Sequence, residues 1–217
     1  MKKHIVCFGD SNTHGYCAEP FDCEDGGMRF NENERWTSLL QRGLGDEYLV
    51  IEEGLSGRTT CFDDPIGEGL SGIEYITPCL KSHEDIDLLV IMLGTNDTKE
   101  RFASSAACIG KGMARLVKKA KDTDCWGGKK PNILVIAPPP IGECLRDHPF
   151  WYTMGNGCIE KSRELAGYYK QHCEALVCHF LDGAELCEFN ESDGMHLTKK
   201  GHRMLADALI EKVPLYI

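Results

Sequence analysis

Four short polar segments interrupt an otherwise ordinary alternation of apolar and charged stretches: Gly9-Asp10-Ser11, Gly54-Leu55-Ser56-Gly57-Arg58, Gly94-Thr95-Asn96-Asp97 and Asp193-Gly194-Met195-His196. Together they hold a hydroxyl, an imidazole, a carboxylate and several hydrogen-bond donors, the parts required for acyl transfer through a serine. A serine hydroxyl needs a base to become a nucleophile. His196 is the candidate for Ser11, because an imidazole with a pKa of about 6.5 can take and return a proton at neutral pH. Asp193, three residues earlier across a glycine-containing turn, can point the same way as that ring and orient it, whereas the adjacent pair Asp147-His148 would diverge. A tetrahedral intermediate also needs donors for its oxyanion, and the Ser11 N–H, the Gly57 N–H and the Asn96 amide are available from three loops. Asp10, Asn12 and Thr95 flank these groups and, with Phe150 and Trp151, are candidate substrate contacts.

Each piece alone has a plainer reading. Gly-Asp-Ser after a strand is common turn chemistry, Asp193 and His196 could share a helix-entry hydrogen bond, and Asn96 and Asp97 could each stabilise their own loop. Arg58 is open to two roles, holding a carboxylate-bearing substrate or making a structural salt bridge within its loop. His179 lies three residues before Asp182 on a strand, which puts the two on opposite faces. It is the ordered conjunction of the four segments that carries weight.

They can act together only if the fold gathers them. Strands are expected at His4 to Phe8, Tyr48 to Glu52, Leu88 to Leu93, Ile133 to Ala137 and Val177 to Leu181, the continuous apolar runs LLVIML and ILVIA being those of strands buried on both faces. Helical spacing recurs between them at Trp36, Leu39, Leu40 and Leu44, at Ile109, Met113, Leu116 and Val117, and at Leu165, Tyr169 and Leu176. A last helix is capped by Thr198 and ends before Pro214. Alternation of this kind predicts an α/β fold with a parallel sheet covered on both faces, and in such a sheet ligands bind beyond the carboxyl ends of the strands. Three of the polar segments follow strands and the fourth precedes the last helix, so all should meet at one sheet edge. The stretch 138–157, with Pro138-Pro139-Pro140, three glycines and the triplet Phe150-Trp151-Tyr152, reads as irregular, a lid or a contact loop.

Size and charge narrow the setting. A chain of 217 residues suits one domain spanning 1–217. A formal net charge of −10 repels phosphate backbones and anionic lipid, so neither nucleic acid nor a membrane is an expected partner. The opening MKKH precedes an apolar run too short for a signal peptide, and the twelve cysteines contain no C-x-x-C pair, which reads as reduced thiols in a cytoplasmic protein.

The set GDS at 9–11, Gly57, GTND at 94–97 and DGMH at 193–196, in this order, resembles the SGNH (GDSL-like) hydrolases. The text ERWTSLL, EEGLSGRTT, DDP, IMLGTNDTK and HLT is more narrowly similar to the arylesterase and acyltransferase branch, over nearly the whole chain. The resemblance implies a three-layer flavodoxin-like fold with a central parallel five-stranded sheet. It implies Ser11 as nucleophile with Asp193 and His196, an oxyanion hole of Ser11, Gly57 and Asn96, no metal and no organic cofactor. It also implies a small-molecule ester substrate, with esters of short aryl or alkyl alcohols and acetylated sugars both compatible, and a homo-oligomer in which the aromatic triplet is either acyl-pocket wall or subunit contact. Asn12 stands where the GDSL name has leucine. Two rivals use the same residues: a phosphatase with Asp10 as nucleophile, which would lack its second aspartate because Asn12 occupies that position, and a catalytically silent binding domain.

Overall fold

The five apolar runs form five strands, Lys3–Gly9 (β1), Tyr48–Gly54 (β2), Leu88–Met92 (β3), Ile133–Ala137 (β4) and His179–Asp182 (β5), in a computed structural model that describes residues 1–217. They pair in the order β2-β1-β3-β4-β5, every neighbour parallel. The chain is therefore an α/β protein with a five-stranded parallel sheet. The connection leaving β1 runs to β2 on one side and that leaving β3 runs to β4 on the other, and their divergence opens a crevice beyond the carboxyl ends of β1 and β3.

Period-two alternation assigns each strand residue to a face. Val6, Phe8, Leu89, Ile91 and Val135 pack with helices Gly72–Ser82 (α3), Ala106–Asp122 (α4) and Cys158–Leu176 (α6), while Ile5, Cys7, Leu88, Val90 and Ile136 pack with Trp36–Leu44 (α2) and Lys199–Lys212 (α7). Two one-turn helices complete the set, Ser11–His14 (α1) and Trp151–Met154 (α5). No helix is long and apolar enough to cross a membrane. All twelve cysteines are free thiols.

The structure departs from the sequence reading at three elements. Helix α3 is absent from that reading because Pro78 interrupts its pattern; here Pro78 and Glu74, whose carbonyl loses its usual partner, both lie on the exposed face where water can serve it. Cys178 lies just outside β5, which begins one residue later. The stretch 138–157 is more regular than expected: a 3-10 turn at Glu143–Asp147 and α5 bury Leu145 and Met154 in a small cluster with Ile141, Cys158, Ile159 and Met195. Hydrogen bonds from the Gly142 N–H to the Gly194 carbonyl and from the Ile141 N–H to Ser162 Oγ, 2.8 and 2.9 Å, pin it in place.

Candidate active site

Ser11 is the first residue of α1, immediately past β1. Asp10 caps that turn by accepting the Asn12 N–H at 3.0 Å. The tight exit needs a residue without a Cβ at position 9, where one would sit 2.9 Å from the Met92 carbonyl oxygen. From the far end of the chain, the loop before α7 brings His196 Nε2 to 2.9 Å from Ser11 Oγ, and His196 Nδ1 lies 2.5 Å from Asp193 Oδ2. With Nδ1–H donated to Asp193, the lone pair on Nε2 faces the serine hydroxyl.

The acidic loop is internally braced. Asp193 Oδ1 accepts the N–H groups of Met195 and His196 and the Asn190 amide, all at 2.9–3.0 Å. Burial alone would raise the Asp193 carboxyl, but the hydrogen bond and charge of His196 and these backbone donors hold it below the usual carboxylate range. Asn12 ties this loop to the nucleophile turn: its Nδ2 donates to the Met195 carbonyl at 3.1 Å and its Oδ1 accepts the Leu197 N–H at 2.9 Å. Asn12 touches the pocket, but its amide is spent on positioning His196. Asn12→Ala should cost about 1–3 kcal/mol of stability and lower kcat, measured by chemical denaturation alongside ester turnover. A variant that loses neither would remove Asn12 from the positioning of His196.

The loops after β2 and β3 form the opposite wall. Gly57 holds φ of +88°, a left-handed conformation, and neither its N–H nor that of Ser11 is hydrogen-bonded within the protein. The Asn96 amide is 3.2 Å from the Arg58 carbonyl and 3.4 Å from Asp10 Oδ2. Asp97 reaches beyond its own loop: it accepts the Thr60 N–H and hydroxyl and so binds the two loops together. Burial raises both Asp10 and Asp97 to about 6.

Between the walls lies a cavity of about 170 Å³ lined by Ser11, Asn12, Gly57, Thr95, Asn96 and His196, and on its apolar side by Tyr16, Phe150, Met154 and Met195. Among the expected substrate contacts, Thr95 and Phe150 therefore face it. Asp10 does not: its carboxylate is buried beneath the serine turn, which also denies it the access a phosphatase nucleophile needs. Trp151 does not either. Phe150 is the cap before α5 and Trp151 its first residue, adjacent positions that point apart, and the Trp151 ring packs against the Arg146 guanidinium at 5.0 Å. Arg58 takes neither role foreseen for it; its guanidinium donates to the Gly9 and Glu53 carbonyls and stacks 4.1 Å over the Phe8 ring. Tyr16, whose ring lies 4.4 Å from that of His196, also lines the cavity without being expected there, as do Ser56, Lys99, Thr153, Met154 and Met195. Proximity is the one available signal: Ser56 and Met195 lie inside the four polar segments, and Tyr16 and Lys99 follow shortly after two of them.

A family model described as the GDSL-like lipase/acylhydrolase family matches residues 7–204. Among curated proteins, a GDSL esterase/lipase of Arabidopsis thaliana is 27% identical over 230 residues, covering 95% of this chain and 84% of the relative. Among solved structures, an aryl esterase of M. smegmatis superposes with a TM-score of 0.89 at 37% identity, covering 99% of this chain and 100% of that one. Est24, a carbohydrate acetylesterase from Sinorhizobium meliloti, also reaches 0.89, at 36% identity and full coverage of both chains.

Proposed function

The chain belongs to the GDSL-like lipase/acylhydrolase family and is a serine esterase; we propose that it cleaves short-chain aryl, alkyl or acetyl esters through an acyl-enzyme on Ser11. The observation that carries this reading is the 2.9 Å approach of Ser11 Oγ to His196 Nε2 at the wall of a small cavity. Ser11 Oγ attacks the ester carbonyl carbon as His196 takes its proton, and Asp193 stabilises the imidazolium that results. The oxyanion is met by the Ser11 and Gly57 N–H groups and by the Asn96 hydrogen now making only the longer contact to Asp10. Collapse expels the alcohol, which leaves with the proton from His196. Water, or a second alcohol, then takes the acyl group by the same steps in reverse.

Cavity size sets the acyl range. A space of about 150 Å³ holds one benzene ring, so 170 Å³ accommodates a short acyl group or one aryl ring, and a longer chain would have to run out of the mouth into solvent and gain no further apolar contact there. Turnover of p-nitrophenyl esters should fall steeply beyond about four acyl carbons; rates that are flat or rise with chain length would overturn the short-chain reading. Varying the alcohol at constant acetyl group separates aryl and alkyl esters from acetylated sugars. If the apolar wall of Tyr16, Phe150, Met154 and Met195 lowers the water at the acyl-enzyme, an added alcohol should compete for the acyl group and appear as ester product.

Asn96→Ala should lower kcat by about 10²–10³ with little change in KM, because the amide acts on charge that develops only in the transition state. Steady-state kinetics decide: an effect confined to KM would assign Asn96 to ground-state binding instead.

A further inference from the structure

A lysine that is 95% buried is uncommon, and Lys99, 5% exposed, lines the cavity just described. Its nearest counter-charge is already taken. Asp64 is held in a two-point pair by Arg101, Nε to Oδ1 at 3.0 Å and the terminal nitrogen to Oδ2 at 2.8 Å. Lys99 Nζ reaches only Oδ2, at 3.4 Å, so an ammonium with three donors has a single long contact to a protein group. Two cations thus share one carboxylate. Burial and the neighbouring guanidinium push the Lys99 ammonium below the usual lysine range, as expected of a cation short of acceptors. Asp97 offsets this only in part and without contact: it and Asp10 are enclosed behind the loop and answered by Asn12, Asn96 and Thr60. In a chain of net charge −10, the cavity lining contains no carboxylate, and Lys99 and His196 are its only ionisable groups besides the Tyr16 phenol.

Resting on the esterase reading, we propose that Lys99 forms an anion subsite within the pocket and that the preferred substrates are short esters carrying a carboxylate. Such a group supplies the ammonium with the charge-assisted bonds that Asp64 does not. The carboxylate can be borne by the acyl group or by the alcohol, and two substrate pairs separate these sources: 4-nitrophenyl hemisuccinate against its neutral methyl succinate counterpart, and 4-acetoxybenzoate against its methyl ester.

In at least one pair the anion should have the higher kcat/KM, and in Lys99→Met the anion-to-neutral ratio should fall by about tenfold or more. Because the ratio is taken within each protein, a general loss of activity does not imitate the effect. A measurement on the unmodified protein guards against a misfolded variant: benzoate should inhibit p-nitrophenyl acetate turnover competitively and clearly better than neutral benzamide. Turnover of p-nitrophenyl acetate with no preference for the anion in either pair, or an unchanged ratio in folded Lys99→Met, overturns the subsite and leaves the esterase reading standing. Failure to turn over any ester overturns that reading itself.

Discussion

Ser11→Ala should lower kcat/KM for p-nitrophenyl acetate by about 10⁴-fold or more, with the fold unchanged. Its hydroxyl makes one side-chain hydrogen bond, to His196, while the first turn of α1 is capped by the carboxylate of Asp10. Removing Oγ leaves that cap in place and opens no cavity in the apolar layers, so stability should shift by no more than about 0.5 kcal/mol. The nucleophile disappears while the oxyanion donors remain, and the residue of activity measures what those donors and binding achieve without covalent chemistry. A fluorophosphonate probe supplies the second readout, since it should label the unmodified protein at Ser11 and not the variant. It also separates the rivals: a phosphatase working through Asp10 or a silent domain leaves the probe unreacted. Near-normal ester turnover by a folded Ser11→Ala protein would end the acyl-enzyme proposal.

Local patterns carry the fold and the meeting of the polar segments because both depend on short-range rules. Runs such as LLVIM and ILVIA are unambiguous as doubly buried strands, and a parallel sheet necessarily presents the residues after its strands along one edge. That is enough to bring Ser11, Gly57, Asn96 and His196 around one cavity. What escapes is decided by partner choice across the chain. Asn12 reads as a substrate contact from its position beside Ser11, yet its amide is consumed by Met195 and Leu197, 183 and 185 residues away. Phe150 and Trp151 are indistinguishable by type and neighbourhood, and only the turn of α5 sends one to the pocket and the other to Arg146. Nothing in the sequence marks Lys99, whose shortage of acceptors depends on Arg101 holding Asp64 at two points. Helix α3 is hidden for a different reason, a proline that is harmless because its side of the helix faces water.

Substitution at Asp193 tests whether this carboxylate acts on the chemistry or only on the loop. Its two oxygens divide the work: Oδ1 accepts three donors that shape residues 190–196, and Oδ2 accepts only His196 Nδ1. Asparagine keeps an acceptor at the Oδ1 position and so preserves the loop, but turns an N–H toward Nδ1. The imidazole must then place its proton on Nε2, where it donates to Ser11 and no longer serves as base; the negative charge that stabilises the imidazolium is lost as well. Asp193→Asn should therefore lower kcat by about 10⁴-fold at neutral pH with KM little changed. Asp193→Ala removes the brace too, and should add a stability loss of about 2–4 kcal/mol. If the pair were no more than a hydrogen bond at the entry to α7, the asparagine variant would keep most of its activity and only the alanine variant would fail. Kinetics on both, with thermal denaturation to separate folding from catalysis, distinguish a carboxylate that sets the tautomer of His196 from one that merely shapes the turn.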